Sequence, residues 1–374
     1  MSLTSRNLHP AAWWLWALGL LTAASRTTNL LLLALVLATA WLVVKRRQTD
    51  APWAKAFRLF LKLGLIVLAI RFVAQVLFGT AVGAPVLFTL PEVALPRWAQ
   101  GISLGGPVTG PSVVAAFADG ARLAVMLALI GAANTLANPK RLLASLPQAL
   151  YEVGVAVVVA LSFAPSLIAA VGRVREARRL RGRDDHGLRG MFTVAAPVLD
   201  DALARSLSLA QAMDSRGYGR RAAQDPRMVR LTTALFVCGL AGVALGLFGL
   251  LDSSTPSAVT FVAFVIGVGA AVGGLTLAGR RGVRTRYRPD PFAFPEKLTL
   301  ASGCVAAGLA VWFSVTDPSR ANPPIGMLDW PTLPWIVAVG VLVAAAPAFF
   351  TPRPVQVTAG LDQNRETFDV EVDA

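Results

Sequence analysis

The sequence predicts an all-α polytopic membrane protein with about eight transmembrane helices and a cytoplasmic insertion of long helices. Hydrophobic residues make up 55% of the 374 residues. Charged residues make up 15%, against about 25% in a typical soluble domain. Several uncharged runs approach or exceed the roughly 20 apolar residues that a helix needs to cross a bilayer. The charges gather instead in short loops and in one basic block in the middle of the chain.

Eight apolar runs are the predicted spans, four on each side of the basic block. The first run contains three tryptophans, and aromatic residues are enriched at membrane interfaces. In chain order the runs are Pro10–Ala24, Asn29–Val44, Leu59–Phe78, Val113–Leu136, Leu231–Leu251, Ser257–Ala278, Leu298–Val315 and Leu333–Phe350. The connection 79–110 is rich in Gly and Pro and is predicted to be a loop. The chain therefore divides into N-terminal transmembrane helices (1–138), a cytoplasmic helical region (139–230), C-terminal transmembrane helices (231–350) and a polar tail (351–374).

Basic loops fix the expected orientation, because cytoplasmic loops of membrane proteins carry an excess of Lys and Arg. Four spans from a cytoplasmic N-terminus, and four more after the insertion, place every basic loop on the inside. These loops are Lys45–Arg58, Lys140–Arg141, Arg173–Arg230 and Arg280–Arg288. We expect a multi-pass protein of the cell membrane with most of its loop charge in the cytoplasm.

One apolar segment does not fit this count. Val153–Gly172 is uncharged over twenty residues, yet it joins two basic loops that belong on the same side. A single crossing cannot do that, so we predict that this helix lies along the cytoplasmic edge of the membrane. The alternative is a ninth span, with another segment miscounted, such as the short first run.

Composition excludes several other classes of function. The net charge of +14 would suggest a nucleic-acid partner in a soluble protein, but here the basic membrane loops account for it. Cys238 and Cys304, the two cysteines, lie in apolar runs, so neither a disulfide framework nor a cysteine-ligated metal is expected. No cleavable signal peptide is indicated. No GxxxxGK[ST] pattern occurs, so the chain is not expected to hydrolyse ATP.

Two helices of the basic block are predicted to end in the same way. The first ends at Leu180-Arg181-Gly182, and the second begins near Pro197 and ends at Ser215-Arg216-Gly217. A glycine directly after a helix can take the left-handed conformation that caps it. One such ending is ordinary, but two in consecutive helices make Arg181 and Arg216 candidate binding residues. A guanidinium at a helix tip can grip a carboxylate with two hydrogen bonds.

Four further residues near these tips are candidates for secondary partner contacts. Arg205 lies eleven residues before Arg216, about three helical turns, and therefore on nearly the same face. Its simpler interpretation is a solvated or headgroup-facing side chain. Arg178, Arg179 and Tyr218 flank the two endings.

These stretches resemble the transmembrane T component of energy-coupling factor transporters, the family that includes the cobalt-transport permease subunit. The resemblance covers roughly residues 8–219 and is strongest over 138–219. The matching stretches are Leu8-His9-Pro10, Arg141–Pro147 (RLLASLP), Ala160–Pro165 (ALSFAP), Glu176–Gly182 (EARRLRG) and Leu209–Gly219 (LAQAMDSRGYG). The chain departs from the family in having Leu180 and Ser215 where alanine is commoner.

The resemblance implies a non-catalytic coupling subunit without a cofactor. Its two coupling helices are then expected to dock Leu180-Arg181-Gly182 and Ser215-Arg216-Gly217 into two ABC-type ATPase subunits. It also implies a small substrate-binding membrane subunit as a partner, besides membrane lipid, and a vitamin or metal ion as cargo. The helix before the first triplet would be the platform for that small subunit.

Two other functions remain open from the residues alone. A membrane enzyme for lipid-linked substrates would need an acidic or histidine cluster, and Asp184-Asp185-His186 is the single candidate. A stand-alone secondary transporter would use a charge inside a span, such as Arg71. Arg71 is otherwise expected to pair with a polar group on a neighbouring helix or to reach the interface. Asp119 and Arg122, three residues apart, are expected to form a local ion pair.

Overall fold

The computed structural model describes residues 6–50, 55–78, 83–93, 104–145, 151–182, 187–218, 226–251, 257–279, 292–323 and 332–354. It contains two compact units. Unit 1 comprises residues 1–142 and 290–374, and unit 2 comprises residues 143–289. The predicted four-part division of the chain stays a prediction.

Unit 1 is a helical bundle built from both ends of the chain. Its elements are α1 (Pro10–Ser25), α2 (Leu30–Arg47), α3 (Ala56–Phe78), β1 (Val86–Val93), β2 (Leu104–Thr109), α4 (Gly110–Leu136), α10 (Phe294–Thr316), α11 (Pro318–Ala321), α12 (Trp335–Val343) and α13 (Pro347–Phe350). The short helix α5 (Pro139–Ala144) follows α4. Unit 2 contains α6 (Tyr151–Leu180), α7 (Gly187–Ser215), α8 (Pro226–Leu251) and α9 (Ser257–Gly279).

The first two helices begin with side-chain caps. His9 Nδ1 accepts a hydrogen bond from the Ala11 backbone N–H at 3.2 Å, and Pro10 occupies the first turn. Asn29 Oδ1 caps α2 by accepting from Leu31 N–H at 3.0 Å. These contacts satisfy N–H groups that have no partner inside a helix.

The core of unit 1 brings α1 against α10. A Cβ atom added to Gly303 of α10 would lie 2.8 Å from the Cα of Trp16 in α1, so the two backbones meet at a glycine. Trp16 and Leu20 are fully buried, and the Trp16 indole donates to the Ala344 carbonyl at 2.9 Å. Small residues allow this close approach, which is typical of helix pairs in membranes.

Unit 2 has a second glycine contact, between α8 and α9. A Cβ atom added to Gly242 would lie 3.0 Å from the Cα of Gly267. Most side chains of these two helices are nevertheless exposed, among them Leu245 and Phe248. The surface of α8 and α9 is therefore as apolar as expected for helices surrounded by lipid.

The predicted loop 79–110 contains structure that the sequence reading missed. Strands β1 and β2 pair in antiparallel fashion, with Val86 opposite Thr109. The alternation is interrupted by Pro91 and by Gly105 and Gly106, both with positive φ. Because these residues and the register bulges interrupt the alternation typical of strands, the sequence pattern did not predict the hairpin.

The last predicted run, Leu333–Phe350, is not one continuous helix. It consists of α12 and α13, separated by a turn at 344–346. Pro347 explains the break, because proline offers no N–H to the carbonyl four residues earlier and its ring clashes with that carbonyl. Arg47 stabilises the break by donating to the carbonyls of Pro347 at 3.1 Å and Ala348 at 2.9 Å.

The predicted class, all-α and polytopic, is confirmed. Six of the described helices are long and apolar enough to cross a membrane, namely α3, α4, α6, α8, α9 and α10. The shorter α1, the basic-ended α2 and the broken α12–α13 segment are predicted spans that fall outside this set. Helix α6 is inside it, and its orientation along the membrane edge stays a prediction.

Candidate functional site

Helix α7 ends in a Schellman motif at the second predicted triplet. Gly217 has a φ of 76°, in the left-handed region that favours glycine. Its N–H donates to the Asp214 carbonyl at 2.8 Å, and Tyr218 N–H donates to the Met213 carbonyl at 3.0 Å. This is the 5→2 and 6→1 pair of hydrogen bonds that defines the motif. Arg216 is therefore the last residue before a fixed reversal of the chain.

Helix α6 ends in a matching way at the first triplet. Gly182 has a φ of 68°, and its N–H donates to the Arg179 carbonyl at 3.0 Å. Arg181 N–H donates to the Arg178 carbonyl at the same distance. The glycine caps predicted from sequence are thus confirmed at both helix ends, and each presents one arginine at the tip.

Both tips are at the surface. Arg181 and Arg216 are exposed, and so are Gly182 and Ser215. Leu180 is 85% exposed, the highest value among the exposed large apolar side chains of the described residues. An apolar residue and a cation therefore lie next to each other on an exposed helix end.

An acidic residue on α7 links the two helices. Asp201 accepts from Arg205 on the same helix, with the Arg205 Nε 3.1 Å from Oδ1 and Nη2 3.0 Å from Oδ2. Arg173 on α6 reaches the same carboxylate, with its Nη2 3.7 Å from Oδ2. Asp201 therefore forms the centre of a three-residue ion cluster across α6 and α7.

Sequence reasoning missed the role of Asp201. The spacing of Asp201 and Arg205, four residues apart on one helix face, was a usable signal. The contact with Arg173 was not readable, because it depends on how α6 crosses α7. Arg205 is exposed, as the predicted solvated side chain would be, and it also pairs with this carboxylate; its predicted partner contact stays a prediction.

An apolar groove runs between α6 and α7, with a volume of about 500 Å³. Its walls are formed by small and large apolar side chains from both helices. They include Ala156, Val159 and Phe163 of α6, and Leu199, Leu203, Leu209 and Met213 of α7. The two helices hence touch along only part of their length, and the groove leaves apolar surface uncovered within the pair.

The start of α7 corrects a prediction. The helix begins at Gly187 and not near Pro197, which lies inside it. Proline in a helix interior removes one backbone hydrogen bond and can bend the helix without ending it. Helix α6 likewise contains Pro165. Both helices are consequently long, with 30 residues in α6 and 29 in α7.

The other candidates near the tips differ in exposure. Arg178 is half-buried, and Arg179 is exposed. Tyr218 is 41% exposed. Their predicted role in partner contact stays a prediction, as does that of the two triplets.

Charged residues in unit 1 pair with each other. Arg71 of α3 lies 3.5 Å from Asp119 of α4, measured from Nη2 to Oδ2. Asp119 also pairs with Arg122 at 3.2 Å. The expected local ion pair and the expected pairing of Arg71 with a neighbouring helix are confirmed. This ion pair gives Arg71 a structural partner, so it weakens the hypothesis that Arg71 is the functional charge of a secondary transporter.

The cluster Asp184-Asp185-His186 lies outside the described residues. Within the described ranges, no group of three or more His, Cys, Asp or Glu side chains could hold a metal ion. Cys238 and Cys304 are both free and exposed.

The chain matches the sequence model of a known family. The family model described as CbiQ, cobalt transport protein, matches residues 4–227. The match spans more than half of the chain and includes both arginine-bearing helix ends. No curated protein matches the sequence.

Proposed function

The chain belongs to the CbiQ family of cobalt transport proteins, and from this membership we propose that it is the coupling subunit of an energy-coupling factor importer. It is a multi-pass membrane protein and a component of a transport system. The proposal adds its partners: two ABC-type ATPase subunits and a small substrate-binding membrane subunit. The cell membrane is the proposed location.

The pair of arginine-tipped helices is the observation that carries this proposal. Arg181 and Arg216 each stand at the end of a helix of about 30 residues, immediately before a left-handed glycine. A left-handed glycine stops the helix at a defined residue, so the backbone of each tip arginine sits at a defined point. Each can then form two parallel hydrogen bonds to a carboxylate in a groove of one ATPase subunit.

ATP hydrolysis would take place in those partner subunits. The chain has no phosphate-binding GxxxxGK[ST] loop, which supports a non-catalytic role. Closure of the two ATPases on ATP would change the distance between Arg181 and Arg216. The two long helices would carry that displacement to the membrane.

The apolar groove between α6 and α7 supports the other half of the mechanism. A change in the crossing of these helices would widen or narrow the groove that Phe163 and Leu203 line. The proposed small membrane subunit would rest on this apolar surface and reorient with it. Segment Val153–Gly172 would form its platform along the membrane edge. A vitamin or a metal ion such as cobalt would be the cargo.

Charge reversal at the two tips tests the proposal. We expect Arg181→Glu and Arg216→Glu each to lower uptake at least tenfold, because a carboxylate placed against the partner's carboxylate both removes an ion pair and adds repulsion. Co-purification of the ATPase subunits with the tagged chain should fall in parallel. Uptake and co-purification are measured in cells that express the complete transporter.

Arg175→Glu is the matched control. Arg175 is an exposed arginine of α6 that lies before the tip, so its reversal changes the net charge equally. It should leave uptake and ATPase binding within about twofold of wild type. Normal uptake in both tip variants, or an equal loss in the control, contradicts the proposed docking.

A further inference from the structure

A small cavity lies at the end of unit 1 where several helices begin or end. It has a volume of about 80 Å³. It is bordered by the segment before α1, the ends of α2 and α4, and the segment after α13. Three arginines from three separate segments line it, Arg6, Arg47 and Arg141. Among its described lining residues none is acidic.

The three guanidinium groups are held in place by the protein. Arg47 is 8% exposed and donates from Nε and Nη2 to two backbone carbonyls. Arg141 donates from both Nη atoms to the Asn7 carbonyl at 3.3 Å. Arg6 forms an ion pair of 2.7 Å with the buried Glu296. The cavity wall is therefore preorganised, and ordering these long side chains costs no further entropy on binding.

Arg47 and Arg141 bring positive charge to this end of unit 1, with Arg46 and Arg353 close to Arg47, whereas Arg6 is paired with Glu296. The two carbonyl oxygens accept hydrogen bonds from Arg47, but they do not neutralise its positive charge. Burial, followed by the positive charges of Arg353 and Arg46, lowers the pKa of the Arg47 guanidinium, which lies beyond the apolar part of α2. An anion in the cavity would offset the repulsion that Arg46 and Arg353 exert on Arg47.

We propose that this cavity binds a phosphate group, and that its position favours the headgroup phosphate of an anionic lipid. The cavity borders Leu136 at the end of α4, a helix long and apolar enough to cross a membrane, so a lipid headgroup would lie near this level. Basic pockets between transmembrane helices bind lipid phosphates. Pockets for whole small molecules have roughly 300–1,000 Å³, so this cavity fits one phosphate and not a nucleotide. The cavity is lined by residues other than those of the arginine-tipped helices, and the inference does not rest on the proposed coupling role.

Lipid titration of the full purified chain tests this proposal. In native mass spectrometry from a non-ionic detergent, we expect phosphatidylglycerol to bind with higher affinity than phosphatidylcholine. Arg141→Gln should weaken phosphatidylglycerol binding roughly tenfold, since charge-assisted hydrogen bonds to phosphate are lost. Lys140→Gln is the control, because Lys140 is the preceding residue, is exposed and does not line the cavity. It should change the affinity less than twofold.

A second arm separates the two sources of phosphate. Inorganic phosphate is added at millimolar concentration, and thermal unfolding of the wild type and of Arg141→Gln is followed. If inorganic phosphate stabilises the wild type but not Arg141→Gln, free phosphate is the ligand. If phosphatidylglycerol stabilises the wild type and inorganic phosphate does not, the lipid is the ligand.

Two results overturn the proposal. One is equal binding of the two lipids together with no effect of inorganic phosphate on the wild type. The other is an equal loss in Arg141→Gln and Lys140→Gln, which indicates bulk charge and no site. The comparison of the two lipids and the addition of inorganic phosphate both use the wild type. They therefore test the proposal even if Arg141→Gln does not fold.

Discussion

Helix pair α1–α10 and helix pair α6–α7 differ in how much of their apolar surface the chain itself covers. In α1, Trp16 and Leu20 are fully buried, and the backbone of α10 approaches at Gly303. Among the described residues of α6 and α7, the buried apolar side chains are Ala170 and Val194 alone. The apolar side chains between α1 and α10 are buried by the chain itself, whereas most apolar side chains of α6 and α7 stay exposed.

This difference indicates where stability and where function are located. Buried, close-packed side chains resist any change of shape. A pair with a groove between its helices, held by an exposed ion cluster, can change its crossing at low cost. We therefore expect substitutions in the first pair to change folding stability, and substitutions in the second pair to change partner-dependent activity.

Leucine truncation should give the largest contrast. We expect Leu20→Ala to destabilise the chain by about 2–5 kcal/mol, because it leaves a cavity in a filled core. Leu203→Ala in α7, where the side chain is 55% exposed, should cost less than about 0.5 kcal/mol. Thermal unfolding of both variants in the same detergent measures the difference. Similar losses would mean that α6 and α7 are as fully packed as α1 and α10.

A methyl group added at the glycine contact should give the next largest effect. Gly303→Ala should destabilise by about 1–3 kcal/mol, because the new Cβ overlaps the backbone of Trp16. Gly308 on the same helix has no neighbour within 4 Å of an added Cβ, so Gly308→Ala should be neutral or slightly stabilising. The two unfolding temperatures are compared directly. A loss of the same size in both variants would show that backbone flexibility, and not the close approach, sets the outcome.

Neutralising Asp201 should have a small effect on stability and tests the functional side of the comparison. We expect Asp201→Asn to cost less than about 1 kcal/mol, since its ion pairs are exposed. The distance between the helix tips should nevertheless become more variable, because the link from Arg173 to α7 is lost. Spin labels at positions 180 and 215, in a background lacking Cys238 and Cys304, report this distance distribution.

Asp214→Asn provides the control for that measurement. Asp214 is an exposed acid on the same helix, close to the tip, and its neutralisation should leave the distribution unchanged. A distribution that is equally narrow in Asp201→Asn and in the wild type would assign no positioning role to Asp201.

The sequence predicted most helices and both helix caps well. Long apolar runs and glycine after a helix are local signals, and they located α3, α4, α8, α9 and α10 to within a few residues. The left-handed glycines Gly182 and Gly217 follow from the same kind of local rule.

Features that depend on tertiary contact were not predictable. No local sequence pattern predicts that α1 packs against α10, or that Arg173 contacts Asp201. The start of α7 was misplaced because Pro197 is a common start signal that a long helix can also tolerate inside. The hairpin of β1 and β2 was missed because Gly and Pro residues gave it the composition of a loop.

A Cβ atom added to Gly19 of α1 would overlap the backbone of Gly303 in α10, and this close approach has a consequence for biosynthesis. About 280 residues separate the two glycines, and a ribosome that adds about 5–20 residues per second needs roughly 15–55 seconds to make them. During that interval α1 exists without its main packing partner, α10. Helices α2 and α4 also contact α1 and are translated before α10, so they are the partners available to α1 until α10 is made.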